Sequence, residues 1–360
     1  MQRLNRDYDE IRGALHFFQE HDVGLAIRLG AALPRVWLYN GRANEGRDWL
    51  RELLQQMPKD VPASIRVQLL SAATSVSQAL LDSPQVHAHG EQALILARAH
   101  GLKRSVGWLQ FLLSAAELER FSHTQLAGLD ARVAEGLQAS RDIHEPLLEA
   151  VHLVLRAQVE IARQHVDLAR RSVAEALEIA QRAHSRPEIA RALGMAGAIE
   201  YRAGNLKVAR DLLERSAADW AAWGEPSNEA LLLRTLAYVA VDQGDTPRAA
   251  SAISRLRSLW GRLGQPAGVA LCVLEPVAYA AATASRHTLA LRIAGTMESL
   301  GTRPETLTLE APYSRGPIAE RLEASTYALG QEQAALARSS GIEASVDELY
   351  DAWLAAAVGV

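Results

Sequence analysis

Cysteine occurs once in the 360 residues, as Cys272, so no internal disulfide can brace the chain and a reducing compartment suits it. Aromatic residues make up only 5%, which disfavours sheet-rich folds and suits helices packed closely through alanine and leucine. Positive charge is not in excess. With Lys and Arg at 38 against Asp and Glu at 42, the net charge is −4, and direct binding of nucleic acid by this chain is not expected. No apolar run reaches the length of a membrane span. The most apolar stretch, "GVALCVLEPVAYAAATA", is broken by Glu275 and Pro276, and the opening "MQRLNRDYDEIRGALHFFQEHD" lacks the apolar core of a signal peptide. Neither export nor membrane attachment is expected, which leaves the cytoplasm.

The chain also lacks the short motifs that carry chemistry. There is no G-x-x-x-x-G-K-[ST], H-E-x-x-H, G-x-S-x-G or C-x-x-C. His87 and His89 are two residues apart, and on a helix such side chains point nearly opposite ways, so a shared metal is not expected. His144, beside Glu145, and His184 fall where helices stop and are read as terminators rather than proton-transfer groups. No catalytic residue, metal site or cofactor is predicted, and an enzyme with an unrecognised site is the remotest reading.

What is present is a folded composition, 49% apolar and 22% charged, and above all a period. The stretch "GNLKVARDLLERS" at Gly204–Ser216 returns 40 residues later as "GDTPRAASAISRL". Aligned on the middle of each second helix, Leu53, Ala93, Gly136, Ala176, Ser216, Leu256 and Met297 lie 40, 43, 40, 40, 40 and 41 residues apart. His144, His184, Gly224 and Gly264 follow at intervals of 40, each with a proline within three residues, as helix stops. The unit reads as helix, short turn, longer helix, stop. Leu193, Ala196, Gly197, Tyr201, Gly204, Ala209 and Leu213 fit the skeleton of the tetratricopeptide repeat, whose period of about 34 residues is lengthened here by longer helices.

The predicted fold is all α: a right-handed superhelical solenoid of about seven antiparallel helix pairs with a small helical C-terminal cap. Its expected divisions are an N-terminal helix in 1–23, the repeats in 24–300, and a loop and cap in 301–360. The loop is "TRPETLTLEAPYSRGP"; helices follow from Ile318 to Leu329 and from Gln331 to Arg338, then one opened by a capping box of Ser345 and Glu348.

At both ends the chain resembles a known family. Ile11–Leu15, Ala26–Leu33, Trp37 and Glu45-Gly46-Arg47-Asp48-Trp49-Leu50 are similar to the start of the repeats in LuxR-type bacterial signal-transduction ATPase regulators. "LALRIAGTMESLG" and "ALGQEQAALARSSGIEASVDEL" resemble their end. The resemblance implies the maltose-regulator-like sensor and scaffold region of such a protein. Neither that family's phosphate loop nor its basic helix-turn-helix is found in these residues, so ATP hydrolysis and DNA binding are not carried over.

Repeat geometry aims the first helix of each pair at the concave surface. The helix phase puts Gln158, Arg191, Tyr201, Arg202, Arg234, Tyr238 and Asp242 there, and by extension Glu275 and Tyr279. Arginine offers a fork of donors and tyrosine a rigid amphipathic ring, a combination suited to carboxylate, phosphate or peptide groups. Glu275, in an apolar helix beside Pro276, needs a partner, for which an arginine of the neighbouring unit is the candidate. Trp220, Trp223 and Trp260 are read as packing between repeats. The expected partner is a protein, a peptide or a small effector in the groove. A stand-alone adaptor holding a partner peptide is the alternative, and self-association stays open.

Overall fold

The computed structural model describes residues 7–39, 41–80, 82–119, 126–262, 267–300 and 318–358. All regular structure among them is helical. An opening helix α1 (Tyr8–His21) precedes α2 (Val23–Ala32) and α3 (Pro34–Tyr39), divided where Pro34 cannot donate a helical hydrogen bond, and α4 (Ala43–Gln56) completes the first pair. Six further pairs follow: α5 (Ala63–Ala79) and α6 (Ser83–Ala99), α7 (Lys103–Glu119) and α8 (Leu126–Asp142), α9 (Pro146–Ala162) and α10 (Val166–Arg182), α11 (Arg186–Arg202) and α12 (Leu206–Trp223), α13 (Pro226–Asp242) and α14 (Thr246–Arg262), α15 (Ala267–Thr283) and α16 (His287–Ser299). The chain ends in α17 (Ile318–Leu329), α18 (Gln331–Gly341) and α19 (Val346–Val358). The arrangement is a TPR-like solenoid in which successive helices of the repeats pack on one another.

The period has a simple origin. The helices of the middle units have 17 residues each, and three-residue turns such as 163–165 and 183–185 separate them. This corrects one expectation: from α5 to α16 the second helix is longer than the first only in the pair of α11 and α12, and there by one residue. Leu53, Ala93, Gly136, Ala176, Ser216, Leu256 and Met297 are all buried, as residues at the centre of each second helix should be. The expected stop at Gly264–Pro266 and the expected loop after Gly301 lie outside the described residues, while α18 continues three residues beyond Arg338.

The turns share one geometry. His144, Gln164, His184, Gly204, Gly224 and Gly244 all have positive φ, between 50° and 87°, at intervals of 20 residues. At His184 the amide bonds back to the Gln181 carbonyl at 3.0 Å and the next amide, Ser185, to Ala180 at 3.0 Å. At Gly204 the equivalent bonds run to Tyr201 and Glu200. This pair of reversed bonds satisfies carbonyls that the helix end would leave open.

The N-terminal motif residues serve packing. Gly46 leaves room for the Trp37 indole, since a Cβ at that position would lie 2.7 Å from the ring. The Trp37 Nε1–H donates to the Tyr8 hydroxyl at 3.1 Å. Burial, then the Glu45 carboxylate, pushes the Tyr8 hydroxyl up to about 12. At the other end, α16 and α18 touch through Gly295 and Gly341, where backbone meets backbone. The Glu348 amide donates to Ser345 Oγ at 3.1 Å, one half of the expected capping box, while its carboxylate pairs with Arg292 of α16.

Candidate functional site

First helices touch first helices: α5, α7, α9, α11, α13 and α15 form an unbroken series of contacts, one repeat to the next. They therefore make the inner wall, because the concave side of a curved array is the side where successive units approach most closely. One inner row carries Phe111, Val154, Gly194, Arg234 and Glu275, and the adjoining row carries Gln158, Ala198, Tyr238 and Tyr279. The wall thus changes from apolar or small residues in its earlier repeats to charged residues and tyrosines in its later ones.

The later repeats bring most of the predicted residues into one polar seam. Tyr201 of α11 and Tyr279 of α15 both donate their hydroxyls to the Asp242 carboxylate of α13, each at 2.8 Å, so one carboxylate ties three consecutive repeats. Beside it, Arg234 and Glu275 form an ion pair at 3.1 Å with side chains only 14% and 7% exposed. Glu275 has found the arginine of the neighbouring unit that its position demanded. Tyr238 meets Tyr279 edge to face with ring centroids 4.9 Å apart, and its hydroxyl lies beside Glu275 without a hydrogen bond of ordinary geometry. Burial first, and then the nearby carboxylates, raise both the Tyr238 and the Tyr279 hydroxyls. The Arg321 guanidinium of α17 sits over the Tyr279 ring at 5.3 Å, so the cap reaches the end of the seam.

Gln158 and Arg202 lie half-buried on the same wall. Arg191 stands apart from the seam. Its guanidinium lies between the ring of Phe111, at 5.2 Å, and that of Trp220, at 5.5 Å, and it faces the buried Glu225. Burial raises the Glu225 carboxyl, opposed by hydrogen bonds from Asn228 and by the Arg191 charge. Phe111 belongs to a helix two repeats earlier. Phe111, Trp108 and Glu225 are functional-site neighbours that sequence reasoning missed. The signal was there, since Phe111 holds the same repeat position as Arg234, but the 43-residue interval after α6 concealed the phase.

Among the predicted inner-wall residues Tyr201, Tyr238, Glu275 and Tyr279 are buried and the other five half-buried, and the coil closes on itself. Ser227 Oγ at the start of α13 donates to the Ala79 carbonyl at the end of α5 at 3.2 Å, across 148 residues. Gly41 faces the Arg262 carbonyl, to which a Cβ would lie 3.8 Å away. Elsewhere, His87 bonds to the Ser83 carbonyl within its own helix, and no group of three metal-ligating residues occurs among the described residues. Trp220 is buried, Trp223 is 36% exposed, Trp260 packs against the apolar core, and Cys272 is a buried free thiol. No described helix is long and apolar enough to cross a membrane.

No family model matches the chain, and no curated protein matches it in sequence. Among solved structures, a Rap protein in complex with competence and sporulation factor is similar with a TM-score of 0.66. The match covers 98% of this chain and 97% of that one at 13% sequence identity. Likeness at that identity is likeness of fold: the same solenoid over the whole length.

Proposed function

We propose that the chain is a non-catalytic, cytoplasmic TPR-like recognition module that binds a protein, peptide or small effector along its inner wall. The observation that carries this reading is the polar seam. At equivalent places in earlier repeats the fold is content with Val154, Gly194 and Ala198, so Arg234, Glu275 and Tyr238 are not required by helix packing. A buried ion pair is seldom the most stable filling for such a place, which points to a use other than stability. Support comes also from the solenoid whose structure was solved with a factor bound, since its fold spans this chain from end to end. On this reading Gln158, Arg191, Arg202, Arg234, Asp242, Glu275 and Tyr279 face the ligand, the fully buried Tyr201 and Tyr238 support them from behind, residues 24–300 form the binding body, and 301–360 close its end.

The finer assignment is to the sensor region of a bacterial transcriptional regulator of the signal-transduction ATPase class. It rests on the terminal motifs. Because Gly46 and Trp37 also serve packing, a stand-alone adaptor is supported equally. An in-frame phosphate-loop ATPase upstream of Met1 would favour the regulator, and a ribosome-binding site there the adaptor.

Thermal shift against a metabolite set and a peptide pool tests the common core of both, since a ligand of the native state raises its melting temperature. Hits should lose affinity by about tenfold or more in Asp242→Asn and Glu275→Gln, the loss expected for a charge-assisted hydrogen bond. Hits that bind both variants like the wild type would place the binding surface elsewhere and overturn the proposal.

A further inference from the structure

Arg191 differs from the charges of the polar seam. Arg234 is answered by Glu275, and Asp242 by two hydroxyls. Arg191 forms no ion pair among the described residues, and its Nε, shut away from solvent, has no hydrogen-bond acceptor. Its guanidinium carbon stands instead over two aromatic rings, Phe111 at 5.2 Å and Trp220 at 5.5 Å. A guanidinium set against aromatic rings rather than paired with a carboxylate leaves N–H donors open to an acceptor, and its fork of donors matches a planar acceptor with two oxygens. Apolar surface is at hand as well: Phe111 is nearly buried, while Trp108, 5.2 Å from it, is 36% exposed and is steadied by an Nε1–H bond to Ser75 Oγ at 3.3 Å.

We propose that Arg191 is the receptor for a carboxylate carried next to an apolar group, the carboxylate meeting the guanidinium edge and the apolar group lying on Phe111 and Trp108. The proposal rests on the inner-wall reading and gives its ligand a chemical class. A monoanion fits better than a phosphate dianion, because Arg191 supplies one guanidinium and the Glu225 carboxyl lies beside it. The carboxylate has two sources, the C-terminus of a peptide or a small organic acid, and the chemistry at Arg191 is the same for both. The site also lies where the coil closes. Arg191 of α11 spans to α7, and Glu225 is two residues from the Ser227 bond to α5, so a ligand here would touch helices from separate repeats at once.

Calorimetric titration of the full chain tests this with N-acetyl-leucine and N-acetyl-phenylalanine, their amides, tetrapeptides ending in leucine with a free or amidated C-terminus, and inorganic phosphate. The acids should bind and the amides should not, with phosphate weaker than either acid. Arg191→Leu should weaken acid binding by about thirtyfold or more, the usual scale for removing one partner of a buried charge pair. Its melting temperature should stay level or rise, because leucine fills the gap between two rings without an unanswered N–H. Arg191→Lys, which keeps the charge and loses the fork, should bind more weakly than wild type; it serves as the test if the leucine variant does not fold. Tighter binding of free-ended peptides than of the acylated amino acids assigns a peptide, and equal binding a small acid.

Amides that bind as well as acids, phosphate that binds best, undiminished acid binding in either Arg191 variant, or no saturable acid binding at all would each overturn the proposal. A groove ligand found by screening that binds Arg191→Leu normally and fails on Asp242→Asn would end it while leaving the inner-wall reading intact.

Discussion

Glu275 and Arg234 form a nearly buried ion pair in a part of the wall where Val154 and Gly194 occupy the matching row. Removing one member strands the other. Glu275→Ala should lower stability by about 3 kcal/mol in urea unfolding, whereas Arg234→Met with Glu275→Leu should recover most or all of that loss, because an apolar pair needs no charge partner. A double variant as unstable as the single would show that the pair is needed for stability. His152 gives a second residue-scale outcome. Its Nε2 meets the Gly107 carbonyl at 2.9 Å, its Nδ1 is buried without a hydrogen-bond partner, and a Cβ on Gly136 would strike its ring. Burial lowers its pKa from 6.5 to about 4, so as pH falls the unfolded chain takes up the proton before the folded one. Stability is whole above pH 6.5 and is lost between 6.5 and about 4, by roughly 3 kcal/mol. His152→Met should flatten the pH dependence of unfolding in that window; an unchanged slope would assign the acid sensitivity to other groups. The need of Glu275 for an arginine of the neighbouring unit was legible beforehand, but the His152 contact was not. The sequence marks Gly136 as a small repeat residue, but not that a histidine from the next helix fills its space.

Helix ends show where sequence rules stop. Gly204, Gly224 and Gly244 announce their turns because glycine accepts positive φ freely. His144 and His184 were legible as stops only by spacing and charge; they take φ of 55° and 50°, the conformation glycine would have taken, and Gln164 does the same at 64°. The 20-residue rhythm and the reversed hydrogen bonds impose that conformation whatever the side chain. His184→Gly should therefore raise stability by about 0.5–1 kcal/mol by relieving the strained backbone, while Gly204→Ala should lower it by a similar amount. Equal and negligible effects in denaturant titrations would show the turns to be unstrained. In the last repeat the spacing pointed to Met297, which is indeed buried, yet the closest helix approach lies two residues earlier. Gly295 rests on the Arg338 backbone and Gly341 on that of Arg292, contacts that a flexible side chain cannot relieve. Gly341→Ala should push α18 off α16 and cost about 2 kcal/mol or more. Limited proteolysis should then cut the cap before the repeats; simultaneous loss of cap and repeats would show the two to be a single cooperative unit.

For the molecule as a whole, the repeat sets the shape and individual residues matter less, which is why a solenoid 13% identical overlays nearly the full length. The fold class was legible because one skeleton recurs. The closure was not, because periodicity reports which neighbours pack and is silent on how curvature accumulates over four repeats. Arg191 was therefore assigned to the inner wall from its helix phase, while its contact with Phe111, two repeats away, could be found only in three dimensions. In a solenoid, stability comes chiefly from adjacent units, so contacts between distant repeats should govern shape more than stability. The Ser227 bond to Ala79 is such a contact, a single hydrogen bond between side chain and backbone. Ser227→Trp should pry α13 from α5: helicity by circular dichroism should be kept, stability should fall by only about 1 kcal/mol, and the radius of gyration from small-angle scattering should rise. A large loss of stability with an unchanged radius would mean that the closing contact belongs to the folding core. An open coil that retained carboxylate affinity would show that Arg191 and Phe111 do not need closure to form their site.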